Sequence, residues 1–138
     1  MVDAAILVAA ARGRSSAAVL NVAQDRALTT TDRAFQEAQR RIELGMKRSD
    51  LLPVLQMLAA DIAVVRIGGL AAWLPAAQSA LRDAVPSRNG STRDAHILAL
   101  AWNVDADIWT TDRDFVGTGT AVWSTPNLLV ALAEARAA

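Results

Sequence analysis

The chain has 138 residues, 53% of them hydrophobic, which is the size and composition of one domain with a full core. It has no cysteine, which excludes disulfides and thiolate metal ligands, and charges interrupt every apolar stretch before it could span a bilayer. Its 14 basic residues balance its 14 acidic ones, which argues against a protein that coats nucleic acid without sequence specificity, because such proteins are usually basic. We expect a single cytoplasmic domain over residues 1–138 that has no contact with a membrane.

Short β-like runs alternate with longer helical patterns along the first half of the chain. In chain order, the patterns predict a strand at 1–3, a helix at 6–11, a helix from a cap at Ser15 or Ser16 to 24, a strand at 28–30, and a helix from a cap at Thr31 or Asp32 to 44. Gly45 stops this helix, the next begins at Ser49 and Asp50 with Pro53 in its first turn, and a β-branched strand at 62–67 ends at Gly68 and Gly69.

The second half continues the alternation. It predicts a helix at 70–83 with a kink or break at Pro75, a loop at 86–91, a helix from a cap at Ser91 to 102, strands at 107–109 and 121–123, and a last helix with Thr125 as N-cap and Pro126 in its first position. The helix that ends at residue 102 is apolar nearly all round, so we expect it to be buried. This alternation predicts an α/β fold with a mainly parallel sheet.

Polar residues follow two of the predicted strands directly. Asp3 lies at the end of the first strand, and Thr110, Asp112 and Asp114 follow the strand at 107–109. Ligands bind at the carboxyl ends of the strands in a parallel α/β sheet, so these residues border the same potential crevice.

Two further acids lie on helices that could line this crevice. Glu37 lies mid-helix, and Asp94 lies in the first turn of the apolar helix, an unusual place for a charge unless something binds it. If the carboxylates converge, their repulsion requires a cation, and oxygen-only ligands suit Mg²⁺ or Mn²⁺. Such an ion activates a water for phosphodiester hydrolysis, so the acids predict a nuclease.

The acids near the strands also have purely local explanations. Asp3 can cap the helix that follows it, and Asp112 and Asp114 can be turn residues. His96 is the only histidine, and because it does not share a helix face with the nearby acid, we interpret it as a structural residue rather than a catalytic base.

The acids on helices have local alternatives as well. Glu37 has Arg33 and Arg41 one turn away on either side, which favours a row of ion pairs facing solvent. Asp94 completes a sequence that resembles a capping box with Ser91 as the cap. Neither explanation is excluded by the sequence.

Four segments together resemble the PIN domain, a nuclease family that includes the VapC-type toxins of bacterial toxin–antitoxin pairs. The resemblance covers essentially the whole chain and is strongest in its last third. The segments are 2–7 with the opening Asp, 30–37 with the helical Glu, 93–101 with the Asp-bearing helix, and 106–115 with a strand followed by Thr-Thr-Asp-Arg-Asp-Phe.

The resemblance implies a three-layer α/β/α fold and an endoribonuclease that depends on Mg²⁺ or Mn²⁺. It also implies an RNA substrate, frequent homodimers and, in the toxins, a cognate antitoxin that blocks the site. The site residues that it implies are Asp3, Glu37, Asp94 and Asp112 as catalytic metal ligands, Asp114 as a supplementary acid, and Thr110 as a hydroxyl that orients a ligand or water.

The sequence leaves alternatives open for the roles of three arginines and for the effect of one alanine near the first acid. Arg12, Arg93 and Arg113 flank the proposed crevice and are candidates for contacts with RNA phosphates, although a solvent-exposed role explains each equally well. Members of the family usually have a polar residue two positions after the first Asp, where this chain has Ala5. The alternative to a nuclease is therefore a weak or inactive PIN-like domain that binds protein or RNA.

Overall fold

A computed structural model describes residues 1–14, 16–84 and 92–138. In chain order its helices and strands are α1 (Ala4–Ala11), α2 (Ser16–Ala23), β1 (Leu28–Thr31), α3 (Asp32–Arg40), α4 (Leu52–Ala59), β2 (Ile62–Val65), α5 (Leu74–Ala84), α6 (Ala95–Asn103), β3 (Ile108–Trp109), β4 (Val122–Trp123) and α7 (Thr125–Ala137). A π-helical turn (Arg41–Gly45) continues α3, and 3₁₀ turns lie at Ser49–Leu51 and Ile67–Leu70.

The first three residues join two pairs of parallel strands into one sheet. β1 pairs with β2, and β3 pairs with β4. On one side the Val2 N–H donates to the Thr29 carbonyl at 2.8 Å, and on the other the Asp3 N–H donates to the Trp109 carbonyl at 3.1 Å. Trp109 in turn donates its N–H to the Met1 carbonyl at 2.8 Å. The two strand pairs are thus linked through residues 1–3 in the order β2, β1, residues 1–3, β3, β4, and the predicted α/β fold with parallel strands is confirmed.

Two hydrophobic cores lie on opposite faces of this sheet. Successive side chains of a strand alternate between faces, so Val2 and Trp109 pack into one core while Met1 and Ile108 pack into the other. The first core is closed by side chains from α1, α2, α3, α4 and α7, and the second mainly by α5 and α6. Helices therefore cover both faces, which is the expected three-layer arrangement.

The apolar helix α6 is the centre of the second core. Every residue from Ala95 to Ala101 is buried, as its nearly continuous apolar character predicts. Even so, none of the helices in the described part of the chain is both long and apolar enough to cross a membrane. The predicted caps Ser15 and Ser91 and the predicted loop at 86–91 lie outside the described residues.

The predicted break near Pro75 is confirmed, and one predicted helix cap is wrong. The 3₁₀ turn ends at Leu70 and α5 begins at Leu74, which places the proline in the first turn of α5, where an N–H has no partner within the helix. The N-cap of α7 is Ser124, whose Oγ accepts from the Asn127 N–H at 3.4 Å. Thr125 instead accepts a hydrogen bond from the Trp109 indole at 2.9 Å, which ties the start of α7 to β3.

A buried hydroxyl secures the first segment against β1, and its removal tests that link. The Thr30 hydroxyl is fully buried and donates to the Val2 carbonyl at 2.7 Å. We expect Thr30→Val to lower the free energy of unfolding by about 1–3 kcal/mol, because a buried carbonyl loses its donor. The measurement is urea denaturation. The control is Thr29→Val, whose hydroxyl bonds the Ala63 carbonyl at an exposed position; an equal loss in both variants would contradict this role for Thr30.

Candidate metal centre

Asp3 serves both as a helix cap and as the centre of the polar site. It is the N-cap of α1, and its Oδ1 accepts from the Ala4 N–H at 2.7 Å. Its other oxygen, Oδ2, accepts from the Thr110 hydroxyl at 2.7 Å. The two bonds hold the carboxylate at the carboxyl end of the central segment, facing the turn that follows β3.

The turn after β3 is built on a chain of hydrogen bonds through the same threonine. Thr110 is buried, and its hydroxyl oxygen accepts from the Asp112 N–H at 2.9 Å. Asp112 Oδ1 then accepts from the Asp114 N–H at 3.1 Å. These acids are turn residues, as the local explanation holds, but the turn also brings the charge of Asp112 close enough to Asp3 to raise the pKa of Asp3.

Asp94 does not act as a capping-box residue. It occupies the N-cap position of α6 rather than the third position of the helix, and its side chain makes no capping hydrogen bond. Its carboxylate instead faces the other acids. One carboxylate oxygen from each of Asp94, Asp112 and Asp114 lies within 4.8 Å of the other two, a spacing suited to a shared metal ion.

The carboxylate of Asp94 is repelled by four other carboxylates at the site. Burial, together with the charges of Asp3, Glu37, Asp112 and Asp114, raises the pKa of Asp94 to about 6. Burial also raises the pKa of Asp3, to which Glu37 and Asp112 contribute by repulsion. Asp94 is therefore repelled by the other four predicted acids, and a bound cation would relieve this repulsion.

Glu37 forms an ion pair with Arg41 and also interacts with the other acids of the site. Its Oε1 lies 2.6 Å from an Arg41 guanidinium nitrogen one turn along, with both side chains partly exposed. The predicted ion pair therefore exists, but Glu37 still repels Asp3 and Asp94. This exposed ion pair contributes only about 0–1 kcal/mol, so Glu37 could leave Arg41 to bind a metal ion at little energetic cost.

His96 is buried in α6 and hydrogen-bonded to the N-cap residue of α3. Its Nδ1 lies 2.8 Å from the Thr31 hydroxyl, which also accepts from the Ala34 N–H at 2.9 Å. This hydrogen bond holds the imidazole ring in one orientation. Burial lowers the pKa of His96 to about 4, with a further contribution from Arg33, so the ring is neutral at pH 7. The geometry is that of a structural histidine.

The three arginines that the sequence singled out have different positions. Arg93 directly precedes Asp94, and Arg113 lies between the two acids of the turn after β3. Arg12 is the C-cap of α1, so it lies at the far end of that helix, about 13 to 14 Å from Asp3 at 1.5 Å per residue.

Sequence reasoning missed a row of polar residues on α3. Arg33, Gln36 and Arg40 line a groove together with Glu37. Their spacing of three, four and seven residues, which places side chains on one helical face, was a signal that could have found them.

Removal of one charge tests the repulsion within the metal-free site. A native pKa raised above the unfolded value means that the ionised Asp94 destabilises the native state at pH 8, and that this effect fades as pH falls from about 6 to 4. We expect Asp94→Asn to raise Tm in EDTA at pH 8, with a gain that vanishes below pH 4. Melts of wild type and variant across this range measure it. The exposed acid variant Asp61→Asn should show no such dependence, and a gain independent of pH would contradict the explanation.

A comparison with protein-family models finds the PIN domain over residues 1–133. Searches of curated proteins and of solved structures each return no significant match to the chain. The matched range contains the two strand pairs, both cores and all five acids. Because the match spans nearly the whole chain, the protein belongs to the PIN domain family, whose members are generally nucleases that depend on divalent metal ions.

Proposed function

We propose that this protein is an endoribonuclease that requires Mg²⁺ or Mn²⁺ and cuts RNA phosphodiester bonds with an activated water. The observation that carries the proposal is the grouping of four carboxylates around Asp94, whose pKa is raised to about 6 by burial and by the charges of these four acids. Perturbed carboxyl groups that repel one another around a crevice are a common feature of catalytic sites. Family membership supports the nuclease class, and the acids support its dependence on metal.

The donor set fits a hard divalent cation. All five side chains offer carboxylate oxygens, the ligands that Mg²⁺ and Mn²⁺ prefer. The residues that would hold the ion are Asp3, Glu37, Asp94 and Asp112, with Asp114 as a supplementary ligand. When bound, such an ion lowers the pKa of a coordinated water and stabilises charge on the phosphate.

The rest of the site fixes these ligands in place. Thr110 is central, because its single hydroxyl donates to Asp3 and accepts from the backbone of Asp112. The hydroxyl proton is therefore directed at Asp3, so the threonine orients two acids rather than a substrate. His96, neutral and bonded to Thr31, has a structural role in this proposal.

The biological setting is part of the proposal and rests on the resemblance to VapC-type toxins. In that setting the protein is the toxin of a toxin–antitoxin pair, acts in the cytoplasm as a homodimer, and is inhibited by a cognate antitoxin. Its substrate is a cellular RNA.

A second function is motivated by one residue. Ala5 lies in the first turn of α1, two residues from Asp3, and its methyl group offers no hydrogen bond to a ligand or water. A domain with such a site could bind RNA or protein with little or no catalysis. Wild-type protein that neither binds Mn²⁺ nor cleaves RNA would favour this alternative over a nuclease.

Cleavage of RNA is the direct test of the proposal. We expect wild type to cut single-stranded RNA with Mg²⁺ or Mn²⁺ but not in EDTA. Asp94→Asn keeps the shape of the side chain and removes one ligand charge, so activity should fall by roughly 10- to 100-fold or more. Gel analysis of labelled RNA measures this. Asp61→Asn should cleave as wild type does, and equal activity in wild type and Asp94→Asn would refute the assignment of this site.

Metal binding without catalysis tests the positioning role of Thr110. At an Mn²⁺ concentration about 100 times its Kd, binding adds about 2.7 kcal/mol to the free energy of unfolding, which is on the order of 10 °C in Tm for a domain of this size. We expect Thr110→Val to lose much of this gain and Thr110→Ser to keep it, because serine retains the hydroxyl that holds Asp3. Thermal melts with and without Mn²⁺ provide the measurement. No gain in wild type would favour the binding-module alternative.

A further inference from the structure

A polar groove adjoins the acid cluster between α3, α5 and the start of α6. Its volume is about 740 Å³, within the range of sites that bind small ligands. The residues that line it are Arg33, Gln36, Glu37, Arg40, Gln78, Thr92, Arg93 and His96. Glu37 belongs to both the groove and the acid cluster, so the groove opens directly beside the proposed metal site.

The groove is cationic although the chain as a whole is neutral. Arg33 and Arg40 supply two positive charges against the one carboxylate of Glu37, which is itself paired with Arg41. Arg33 and Arg40 are exposed, and neither forms an ion pair with any residue in 1–14, 16–84 or 92–138. Their charges are thus available to an anion that enters the groove.

The groove wall formed by α3 is rigid, which favours a fixed contact geometry. Ala34 and Ala38 on the opposite face of the helix are fully buried. The N-terminus of α3 is held by Thr31, which caps it and bonds His96 of α6. The two helices that border the groove are therefore linked directly by a buried hydrogen bond, and the arginines project from a fixed surface.

We infer that this groove binds the RNA strand next to the cleaved bond, with Arg33 and Arg40 in contact with its phosphates. The inference rests on the proposed function and names the path of its substrate. An RNA strand in the groove would pass from the guanidinium groups of Arg33 and Arg40 to the proposed metal site beside Glu37. Arginine is suited to this role because its planar group forms paired hydrogen bonds with phosphate oxygens. The exposed amide of Gln36 lies between the arginines and offers hydrogen bonds to sugar or base.

Binding measured without cleavage tests the groove independently of catalysis. The probe is a fluorescein-labelled single-stranded RNA of about 12 nucleotides, titrated in EDTA by anisotropy at several salt concentrations. The double variant Arg33→Gln/Arg40→Gln removes both groove charges, and Arg14→Gln/Arg26→Gln is the matched control. Arg14 lies beyond the C-terminus of α1 and Arg26 precedes β1, so both are at the opposite edge of the sheet.

We expect the groove variant to lose affinity by about tenfold or more, since each lost contact is a charged hydrogen bond. The slope of log K against log salt should decrease by about 1.4, from two phosphates at about 0.7 each. The control should change neither quantity by a comparable amount. Equal losses in both variants, no loss in the groove variant, or no binding by wild type would each overturn the inference.

A DNA probe of the same sequence separates phosphate contacts from contacts with the ribose. A parallel loss of DNA binding supports the phosphate assignment, whereas a loss confined to RNA overturns it. The outcomes also separate this inference from the proposed function. RNA binding through the groove without metal-dependent cleavage would refute only the function, and undiminished cleavage by the groove variant would refute only the groove.

Discussion

The hydrogen bonds of residues 1–3 with strands on both sides are the constraint on which the rest of the structure depends. Val2 bonds to β1, and Asp3 and Met1 bond to Trp109 in β3, so two small strand pairs become one sheet. The same pairing places Asp3 and Thr110 side by side at the carboxyl edge. Both the three-layer architecture and the acid cluster follow from this one junction.

The carboxylates are held together against their own repulsion. Two features of the fold offset part of that repulsion. Asp3 and Asp94 are the N-cap residues of α1 and α6, so two helix N-termini, with their partial positive charge, lie at the cluster. Thr110 adds a hydroxyl donor to Asp3. The remaining repulsion, visible in the raised pKa of Asp94, is what a divalent cation would relieve.

Several residues have two roles at once, and this explains why local sequence patterns were ambiguous. Asp3 caps a helix and belongs to the site, Asp112 shapes a turn and presents a carboxylate, and Glu37 pairs with Arg41 while it repels Asp94. A capping or turn geometry uses one oxygen or one backbone group of an acid and leaves other lone pairs for a ligand. The local explanation of such a residue is therefore compatible with a functional one.

The sequence by itself determined the α/β alternation, the burial of α6 and the placement of Asp3, Thr110 and Asp112 at strand ends. These features depend on hydrophobic periodicity and on the common edge of parallel strands, both of which can be read along the chain. Only the tertiary structure decided that the Asp94 side chain makes no capping hydrogen bond, that Pro75 lies in the first turn of α5, and that Ser124 is the N-cap of α7. It also decided which arginines border the acids. Periodicity reports which face of a helix is polar, but not which faces of distant elements meet, and the cationic groove exists only where α3, α5 and α6 come together.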